Sequence, residues 1–393
     1  MRLLTAAVTV SLLFSASVAA MASADPVIID KDSMIDRERF DALVPTLITQ
    51  YKAAGVGIGV IREGDLVWTA YYGEQAPGVP VTDRTVFNTA SVAKTVTAET
   101  MIVLSSKGLI DLHEPIAPYL QHPDLSKDER YKKLTARLLL SHRAGLLNWA
   151  YEYPNNRLAF DHEPGQRYSY SGAGVQLAAE YAEAKLGTDF EKLTSEHLLI
   201  PSGIEEISMG YRRPWMKNRL AKPMDEEGRY RRATKLNPGL RNKEWQASDD
   251  LLLTVKAYSQ LLVALIEKVE VSDVQQKRRT EIITSLENDP VYSCPDLPWL
   301  VCPDAYGHSI GWQVFTYGDH RVLKHSGSDA GENAFVYYSP DARHGAVIFV
   351  NGANGWVIMT RIIEFIGDEP LIADYYRALL ETVLGQPIPA LER

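Results

Sequence analysis

Strand-like sequence occurs at both ends of this chain, whereas the long stretch between them has mostly helical periodicity. Residues 56–73 contain two β-rich runs, VGIGVIREG and DLVWTAYYG, with charged turn residues between them, a pattern typical of a hairpin. From 91 to about 283 apolar residues recur at helical spacing, and after residue 306 a period of two returns. This order predicts an α/β (α+β) fold, in which an antiparallel sheet flanked by terminal helices is interrupted by a mostly helical insertion.

The predicted domains follow from the same pattern. Residues 25–90 and 306–393 are expected to form one discontinuous α/β sheet domain, and residues 91–305 the inserted helical domain with a cysteine-containing loop. A cleft at the junction of two such domains is a natural place for a binding or catalytic site.

The first 24 residues predict a signal peptide. Arg2 precedes an apolar stretch broken by small residues, and Ala22-Ser23-Ala24 stands before Asp25. This stretch is too short and too poorly flanked for a stable membrane span. We expect cleavage near Ala24-Asp25, export to the periplasm or the medium, and a net formal charge that changes from -9 to -10 with the loss of Arg2.

Composition narrows the classes of partner. With 46% hydrophobic and 23% charged residues, the chain has an ordinary globular composition and enough length for a large core. Lysines and arginines are scattered among acidic residues, which disfavours nucleic-acid partners. No later stretch is apolar enough to predict a membrane span, and nothing in the sequence indicates an oligomeric state.

The chain has two cysteines, Cys294 and Cys302, which enclose a proline-containing loop. In an exported protein this spacing predicts one local disulfide, with two unpaired thiols as the alternative. Neither cysteine has a neighbouring histidine or a second cysteine pair at zinc-ligand spacing, so we expect no structural metal. No cofactor is expected either. The segment 271–302 is either a lid over one side of a site or a surface excursion.

A serine is followed three residues later by a lysine at one place in the chain, Ser91-Val92-Ala93-Lys94, at the start of a long apolar run. On a helix this spacing places the hydroxyl at the N-terminus and the amine one turn away on the same face. A desolvated lysine can take the proton of a serine, which predicts an activated nucleophile. The alternative is an N-capping serine with a solvated lysine.

A second element, Tyr170-Ser171-Gly172, follows a Pro-Gly turn and precedes a predicted helix. A tyrosine on a loop beside a lysine can have its pKa lowered enough to accept a proton, whereas the alternative is an ordinary buried aromatic residue. The aromatic residues Trp149 and Tyr151 are predicted either to line the cleft or to pack in the core.

A third element runs from Lys324 to Ser328, at the end of a strand-like run. The small residue Gly327 would let a substrate carbonyl lie close to the backbone, where the next N–H and that of Ser91 could both donate to an oxyanion. The alternative is a plain turn between two strands.

Three other sequences resemble functional motifs. Gly307-His308-Ser309-Ile310-Gly311 fits the G-x-S-x-G elbow, but an elbow turns from a strand into a helix and this run continues as a strand. Lys185-Leu186-Gly187 is predicted to be a helix C-terminal cap. His142, after a leucine-rich helix, is predicted to be a hydrogen-bonded structural histidine rather than a base.

Together the three elements resemble, in order and context, the serine β-lactamase and penicillin-binding-protein-like hydrolases, above all the class C-like branch with its D-Ala-D-Ala peptidases and esterases. The resemblance implies a β-lactamase/transpeptidase-like fold and an acyl-enzyme on Ser91, with Lys94 and Tyr170 sharing the proton transfers. His325 would bind a substrate carboxylate when protonated or donate a neutral hydrogen bond. The N–H groups of Ser91 and Ser328 would form the oxyanion hole.

One position departs from the family pattern. Most relatives carry asparagine where this chain has Gly172, and that amide orients the acylamino group of the substrate. Its absence weakens the expectation of β-lactam hydrolysis and of strict acyl-D-Ala-D-Ala recognition. No acidic motif can be placed as a class A-like deacylating base.

The expected function is therefore that of an exported serine hydrolase that acts on a small-molecule ester, amide or peptide through an acyl-serine intermediate. An esterase or a D-amino-acid peptidase is favoured, and a β-lactamase or a D-Ala-D-Ala carboxypeptidase is the alternative. A non-catalytic protein that binds peptidoglycan fragments is the alternative of another class. Relatives of that kind usually lose the serine or the lysine, and this chain keeps both.

Overall fold

Strands from both terminal parts of the chain join in one sheet. The computed structural model describes residues 35–209, 213–231, 246–289 and 292–391, so the predicted signal peptide lies outside the described residues. Within these ranges nine strands form the main sheet: β1 (Gly55–Arg62), β2 (Asp65–Ala76), β3 (Val79–Pro80), β7 (Thr284–Ser285), β8 (Ala305–His308), β9 (Gln313–Tyr317), β10 (His320–Asp329), β11 (Glu332–Ser339) and β12 (His344–Asn351).

Every neighbouring pair in this sheet is antiparallel, and the strand order is β3-β2-β1-β12-β11-β10-β9-β8-β7. β1 and β12, from opposite ends of the chain, pair in the middle. The predicted antiparallel sheet is thus confirmed. The division of the chain at residues 90 and 306 stays a prediction.

A second, small sheet lies in the region predicted to be mostly helical. It consists of β4 (Phe87–Asn88), β5 (Ile207–Met209) and β6 (Leu251–Leu253), in the order β4-β6-β5. The run of leucines in β6 lies within the stretch whose spacing predicts helix. That helix instead begins at Val255, because Thr254 caps it by accepting a hydrogen bond from the Ala257 N–H.

The helices cover both faces of the main sheet. They are α1 (Arg37–Gln50), α2 (Ala93–Ser106), α3 (Ala136–Leu140), α4 (Gly172–Leu186), α5 (Phe190–Thr194), α6 (Val255–Ile266), α7 (Asp273–Thr280), α8 (Gly355–Ile366) and α9 (Pro370–Leu384). α1 and α8 pack against β-strands and against each other, and α9 packs on α8. The terminal helices therefore flank the sheet, as predicted.

The opposite, inner face of the sheet receives α6 where β1 carries glycines. A Cβ at Gly57 would lie 2.6 Å from Val255, and one at Gly59 would lie 2.3 Å from the Ser259 hydroxyl. The alternating glycines of β1 thus permit a close helix–sheet contact. Through the antiparallel register this inner face continues across β12 and β11 to His325 and Gly327 of β10.

α2 is the central helix, and its residues from Ala93 to Leu104 are all buried. Its one acidic side chain, Glu99, pairs with Arg279 of α7 at 2.6 Å and accepts a hydrogen bond from the Trp312 indole at 2.7 Å. A buried carboxylate needs such partners. These bonds fix α2, and with it the residues at its N-terminus, against β9 and α7.

Cys294 and Cys302 form the predicted disulfide. Tyr292, just before it, lies close enough to Tyr168 and Tyr170 to influence both electrostatically, and its carbonyl oxygen accepts a hydrogen bond from Tyr375 at 2.6 Å. The segment therefore borders the region of Tyr170. Among the described residues, no helix combines the length and the apolar character needed to cross a bilayer.

Candidate active site

Ser91 lies at the start of the central helix. It is the middle residue of a 3₁₀ turn, Ala90–Val92, that leads directly into α2, so its hydroxyl stands at a helix N-terminus. Ala90 has φ 45°, in the left-handed region, which costs a residue with a Cβ about 1–2 kcal/mol. The Asn88 side chain braces this turn by accepting a 3.0 Å hydrogen bond from the Ala90 N–H. Ser91 is thus presented on a strained turn, as many functional residues are.

Lys94 is one helical turn further on, and its amine reaches the serine hydroxyl. Nζ lies 2.9 Å from Ser91 Oγ and also donates to the Ser248 carbonyl oxygen. The side chain is buried, which lowers the pKa of Lys94 to about 8, although the Asp249 carboxylate nearby acts in the opposite direction. The neutral amine is therefore accessible near neutral pH, where it can accept a proton from an alcohol.

Tyr170 is the third member of this group. It hydrogen-bonds Ser91, and Lys94 Nζ lies 5.0 Å from the centre of its ring. The predicted lowering of its pKa is wrong: burial raises the pKa of Tyr170 well above its ordinary value, although the hydrogen bond with Ser91 favours the ionised form. The phenol consequently stays protonated near neutral pH and is suited to donate a proton rather than to start the reaction by accepting one.

β10 approaches the turn of Ser91 because Gly327 has no side chain. A Cβ at residue 327 would lie 2.1 Å from the Thr89 carbonyl oxygen and 3.0 Å from the Ser91 backbone nitrogen. Ser328 comes next in the strand and is exposed. The backbones of β10 and of the Ser91 turn therefore lie against each other, which is the arrangement that two oxyanion-binding N–H groups need.

His325 is buried next to the site and is neutral. Its Nδ1 donates to the Ser326 carbonyl oxygen at 2.8 Å, which leaves Nε2 as an acceptor that is buried and has no partner within the described ranges. Burial, with the charge of Lys94 nearby, holds the pKa of His325 well below its usual range. Of the two roles that the resemblance left open, the protonated carboxylate ligand does not fit, and the neutral ring offers an acceptor rather than a donor.

The neighbouring Lys324 belongs to the other face of the sheet. Its amine is buried over the rings of Phe335 and Tyr376, at 5.3 and 4.8 Å from their centres, and is 3.3 Å from the Ser326 hydroxyl. Burial lowers the pKa of Lys324 to about 7. The amine of this lysine therefore lies on the other side of the sheet from Ser91, and its charge acts on the site by helping to lower the pKa of His325.

The sequences that resembled other motifs are structural. Ser309 is buried in the turn between β8 and β9, where its hydroxyl donates to the Trp312 carbonyl oxygen at 3.2 Å, so this segment is no elbow between a strand and a helix. His142 accepts a 3.1 Å hydrogen bond from the Ser171 N–H through Nδ1, as a structural histidine does. Gly187 has φ 64° and caps α4, which confirms the predicted cap.

Trp149 takes the space that a side chain at residue 172 would need. Gly172 begins α4, and a Cβ there would lie 2.5 Å from the Trp149 indole, which also lies over Lys94 with Nζ 5.7 Å from the ring centre. Trp149 is therefore a buried side chain that lines the site. Tyr151 is 54% exposed and close enough to Asp249 and Asp329 to feel their charges, which places it at the mouth.

This packing makes Gly172→Ala destabilising. Alanine is normally better than glycine in a helix by about 1 kcal/mol, so a stability gain is expected if the site has room. The clash with Trp149 should instead lower the unfolding free energy by about 1–3 kcal/mol, as overpacking does. Thermal unfolding of Gly172→Ala should therefore show a lower Tm. The control is Gly174→Ala in the same helix turn, where the new Cβ would come no closer than 3.3 Å to its neighbours, so its Tm should fall less.

A rescue variant separates the clash from other causes. Trp149→Phe in the Gly172→Ala background should recover part of the lost Tm, because the smaller ring leaves space for the new methyl group. The same reasoning applies to Gly172→Asn: restoring the amide of the relatives requires Trp149 to move. A Gly172→Ala protein more stable than the wild type would contradict the assigned role of Trp149.

Sequence reasoning missed a group of carboxylates beside the site. Asp249 lies near Lys94, Asp250 and Asp329, and Glu332 lies near the three aspartates. Burial raises the pKa of Asp249 to about 7 and that of Glu332 to about 8, and the mutual repulsion of the carboxylates adds to this. Asn88 connects them to the Ser91 turn, because its amide donates to Asp250 at 2.9 Å and to Glu332 at 2.8 Å.

Sequence comparisons identify relatives of this chain. A family model described as Beta-lactamase matches residues 40–362. A beta-lactamase of Pseudomonas fluorescens is 22% identical over 359 residues, which cover 80% of this chain and 93% of that protein. Penicillin-binding protein 4 of Amycolatopsis lactamdurans is 23% identical over 377 residues, or 90% of this chain and 91% of that protein. Esterase EstB of Burkholderia gladioli is 28% identical over 186 residues, 46% of this chain and 44% of the esterase.

Solved structures share the fold. The octameric penicillin-binding protein homologue from Pyrococcus abyssi superposes with a TM-score of 0.66 and 19% identity, covering 90% of this chain and 78% of that one. The D-amino acid amidase from Ochrobactrum anthropi gives a TM-score of 0.65 and 17% identity, covering 89% and 98%. These likenesses confirm the β-lactamase/transpeptidase-like fold, and the match over residues 40–362 shows that the chain belongs to the Beta-lactamase family of serine hydrolases.

Proposed function

We propose that this protein is an exported hydrolase that cleaves an ester or amide bond through a covalent acyl-serine intermediate. Ser91 Oγ attacks the substrate carbonyl while the neutral amine of Lys94 takes the hydroxyl proton. The carbonyl oxygen becomes an oxyanion beside the N–H groups of Ser91 and Ser328. The observation that carries the proposal is the 2.9 Å contact between Lys94 Nζ and Ser91 Oγ, made by a lysine that burial makes easy to deprotonate.

The two remaining proton transfers use the same residues. When the bond from the carbonyl carbon to the leaving group breaks, the departing oxygen or nitrogen takes a proton from the protonated Lys94 or from the Tyr170 phenol. Water then attacks the acyl carbon, its proton passes to the same pair, and Ser91 regains its hydrogen as the acid is released. Because Lys94 and Tyr170 both contact Ser91, they are expected to act as one coupled unit.

The charges around the site favour a substrate with a positive group near the scissile bond. Asp249, Asp250, Asp329 and Glu332 lie together beside Lys94 and the turn of Ser91, whereas His325 is neutral and presents an acceptor nitrogen. Near neutral pH the carboxyl groups of Asp249 and Glu332 are partly protonated, because their pKa values are raised to about 7 and about 8. A bound ammonium group would favour their ionised forms and would also find the imidazole acceptor of His325, whereas a substrate carboxylate would repel those ionised forms. We therefore favour esters and amides of D-amino acids as the substrates. Simple esters are the other favoured substrate class.

The similarity to named relatives supports more than one substrate class. The D-amino acid amidase of Ochrobactrum anthropi and esterase EstB match the favoured proposal. The beta-lactamase of Pseudomonas fluorescens matches the runner-up, which is a β-lactamase or a D-Ala-D-Ala carboxypeptidase. The runner-up is weakened by Gly172, whose missing amide is replaced by the Trp149 ring, and by the uncharged His325. Export is supported by the Cys294–Cys302 disulfide, since such bonds persist in oxidising compartments.

A matched pair of substrates tests the preference. D-alanine p-nitroanilide, with its free amine, should show kcat/KM at least about tenfold higher than N-acetyl-D-alanine p-nitroanilide, because acetylation removes the positive charge. Glu332→Gln removes a carboxyl group that a bound ammonium can keep ionised, so it should reduce that ratio when the assay is run at about pH 8, near the pKa of Glu332. The control is Glu129→Gln, which changes an exposed residue paired with Lys132 and should leave the ratio unchanged.

The same assay includes p-nitrophenyl acetate and benzylpenicillin, with intact-mass detection of the acyl-enzyme. A higher rate with the N-acetylated compound, or efficient acylation by benzylpenicillin followed by turnover, would favour the runner-up. Absence of an acyl adduct with all four compounds would favour a non-catalytic binding protein.

A further inference from the structure

Three side chains from separate parts of the chain meet on the outer face of the sheet, away from Ser91. Glu369 Oε1 lies 2.9 Å from His320 Nε2 and 2.6 Å from His344 Nε2, and its Oε2 lies 3.0 Å from His320 Nε2. One ligand-type atom from each of the three lies within 4.8 Å of the other two. Two imidazole nitrogens and one carboxylate therefore converge on a common point.

The fold holds these residues in place. His320 is the first residue of β10 and His344 the first of β12, and both strands run antiparallel to β11 between them, so both histidines lie at the same edge of the sheet. Glu369 is the residue before α9, the helix that closes the outer face. The sequence gives no hint of this group, because the three residues come from three separate elements and no two share a turn.

The group lies at the far end of the sheet from the catalytic residues. His320 is at the start of β10, whereas Gly327 and Ser328, beside Ser91, are near the end of the same strand. In β10 side chains alternate between faces, so even-numbered His320 is on the outer face with Lys324 while odd-numbered His325 is on the inner face. A ligand bound at His320 would thus not touch the site of Ser91.

We propose that His320, His344 and Glu369 form a binding site for a divalent transition metal ion, with Zn²⁺ as the ion that the donor set fits best. Zinc binds imidazole nitrogen and carboxylate oxygen at about 2.0–2.2 Å in tetrahedral geometry, which separates neighbouring donor atoms by roughly 3.3 Å. The contacts of 2.6–3.0 Å would need to widen by about 0.3–0.7 Å to reach that separation. Water would complete the coordination, since His320 is 35% exposed and leaves a path from solvent.

The surroundings suit a cation. Glu369 is only 3% exposed, and Asp368 next to it pairs with Arg62 at 2.8 Å while its Oδ2 is buried without a hydrogen-bond partner in the described part of the chain. The Tyr337 hydroxyl is likewise buried and unpartnered there, within electrostatic reach of both acidic groups. Polar groups left unsatisfied beside a ligand set are positioned to hydrogen-bond the ligands or a metal-bound water.

The competing explanation is that the carboxylate simply accepts two imidazole N–H bonds. In that arrangement both histidines carry their proton on Nε2 and aim it at one carboxylate. When a metal ion binds, each ring instead presents a bare Nε2, with its proton on Nδ1. A metal would also tie β10, β12 and the start of α9 together, so it would stabilise the attachment of α9 to the sheet.

Titration of the protein, without a histidine tag, with ZnCl₂ and with CoCl₂ tests the proposal. We expect one ion per chain by calorimetry, with a dissociation constant in the micromolar range or lower, and a visible Co²⁺ spectrum of the intense, low-symmetry type. Glu369→Gln keeps an oxygen that can accept from the histidines but removes the anionic ligand, so it should weaken binding at least about 100-fold. His344→Gln should do the same.

Two controls make the result decisive. His113→Gln removes an exposed histidine elsewhere and should leave metal binding unchanged. Zinc should raise the Tm of the wild type but not that of Glu369→Gln. If the wild type binds no ion at micromolar concentration, or if Glu369→Gln and His344→Gln bind it as tightly as the wild type, the site is a hydrogen-bonded cluster and the proposal is wrong.

Discussion

Ser91→Ala is expected to abolish the hydrolysis of p-nitrophenyl acetate, with a loss of at least about 10⁴-fold in kcat, because losing the nucleophile removes covalent catalysis altogether. The hydroxyl is half-buried, and Lys94 keeps its bond to the Ser248 carbonyl oxygen, so the fold should be unaffected. The Tm should stay within about 3 °C of the wild type, as for a mild substitution. Stopped assays with intact-mass detection should show an acetylated wild type and an unmodified mutant.

Ser309→Ala is the matched control for this experiment. Ser309 lies in the G-x-S-x-G sequence and is buried, and its hydroxyl bonds only at 3.2 Å to a carbonyl oxygen three residues away among the contacts described. Its removal should cost little stability and leave the rate near that of the wild type. Retained turnover in Ser91→Ala together with its loss in Ser309→Ala would transfer the nucleophile to the other serine.

The parts of the site that the sequence predicts are those set by local geometry. Ser91 and Lys94 are three residues apart, and one helical turn brings Nζ to 2.9 Å from Oγ. The approach of Gly327 to Ser91 depends instead on the pairing of β10 with β11, and it was expected only through the motif order of a known family. Glu332 is the first residue of β11, the strand that pairs with β10, and no periodicity in the sequence indicates that its carboxylate lies beside Ser91.

The errors concern the charge states of buried groups. A tyrosine beside a lysine was expected to have a lowered pKa, but burial outweighs its hydrogen bond with Ser91 and raises the pKa of Tyr170. The pKa of His325 falls for the same reason, since both groups are most stable uncharged in a poorly solvated site. The order of the motifs along the sequence indicates which side chains belong to the site. How deeply those side chains are buried depends on the packing of Trp149, β10 and α2 around them.

Lys94→Met is expected to lower kcat/KM by about 10³–10⁴-fold, because the methionine keeps the volume but has no group that can accept the Ser91 proton. Tyr170→Phe, which removes the proton donor and one hydrogen bond to Ser91, should lower it by about 10²–10³-fold. The double variant should be little slower than Lys94→Met, since residues that act as a unit give losses that do not add. Additive losses would assign the two residues to separate steps.

Burying a lysine costs stability, so Lys94→Met should have a Tm at least equal to that of the wild type.

The pH dependence of kcat/KM tests the protonation state of Lys94. In the wild type the rate should rise as the pH passes through about 8, because only the neutral amine accepts a proton and its pKa is lowered to about 8 by burial. The Asp249 carboxylate stabilises the charged amine, so removing it should lower the pKa of Lys94 further. Asp249→Asn should therefore move the rising limb to lower pH, whereas Glu129→Gln, at the surface, should leave it in place. A limb that moves to higher pH in Asp249→Asn would show that a group other than Lys94 sets the profile.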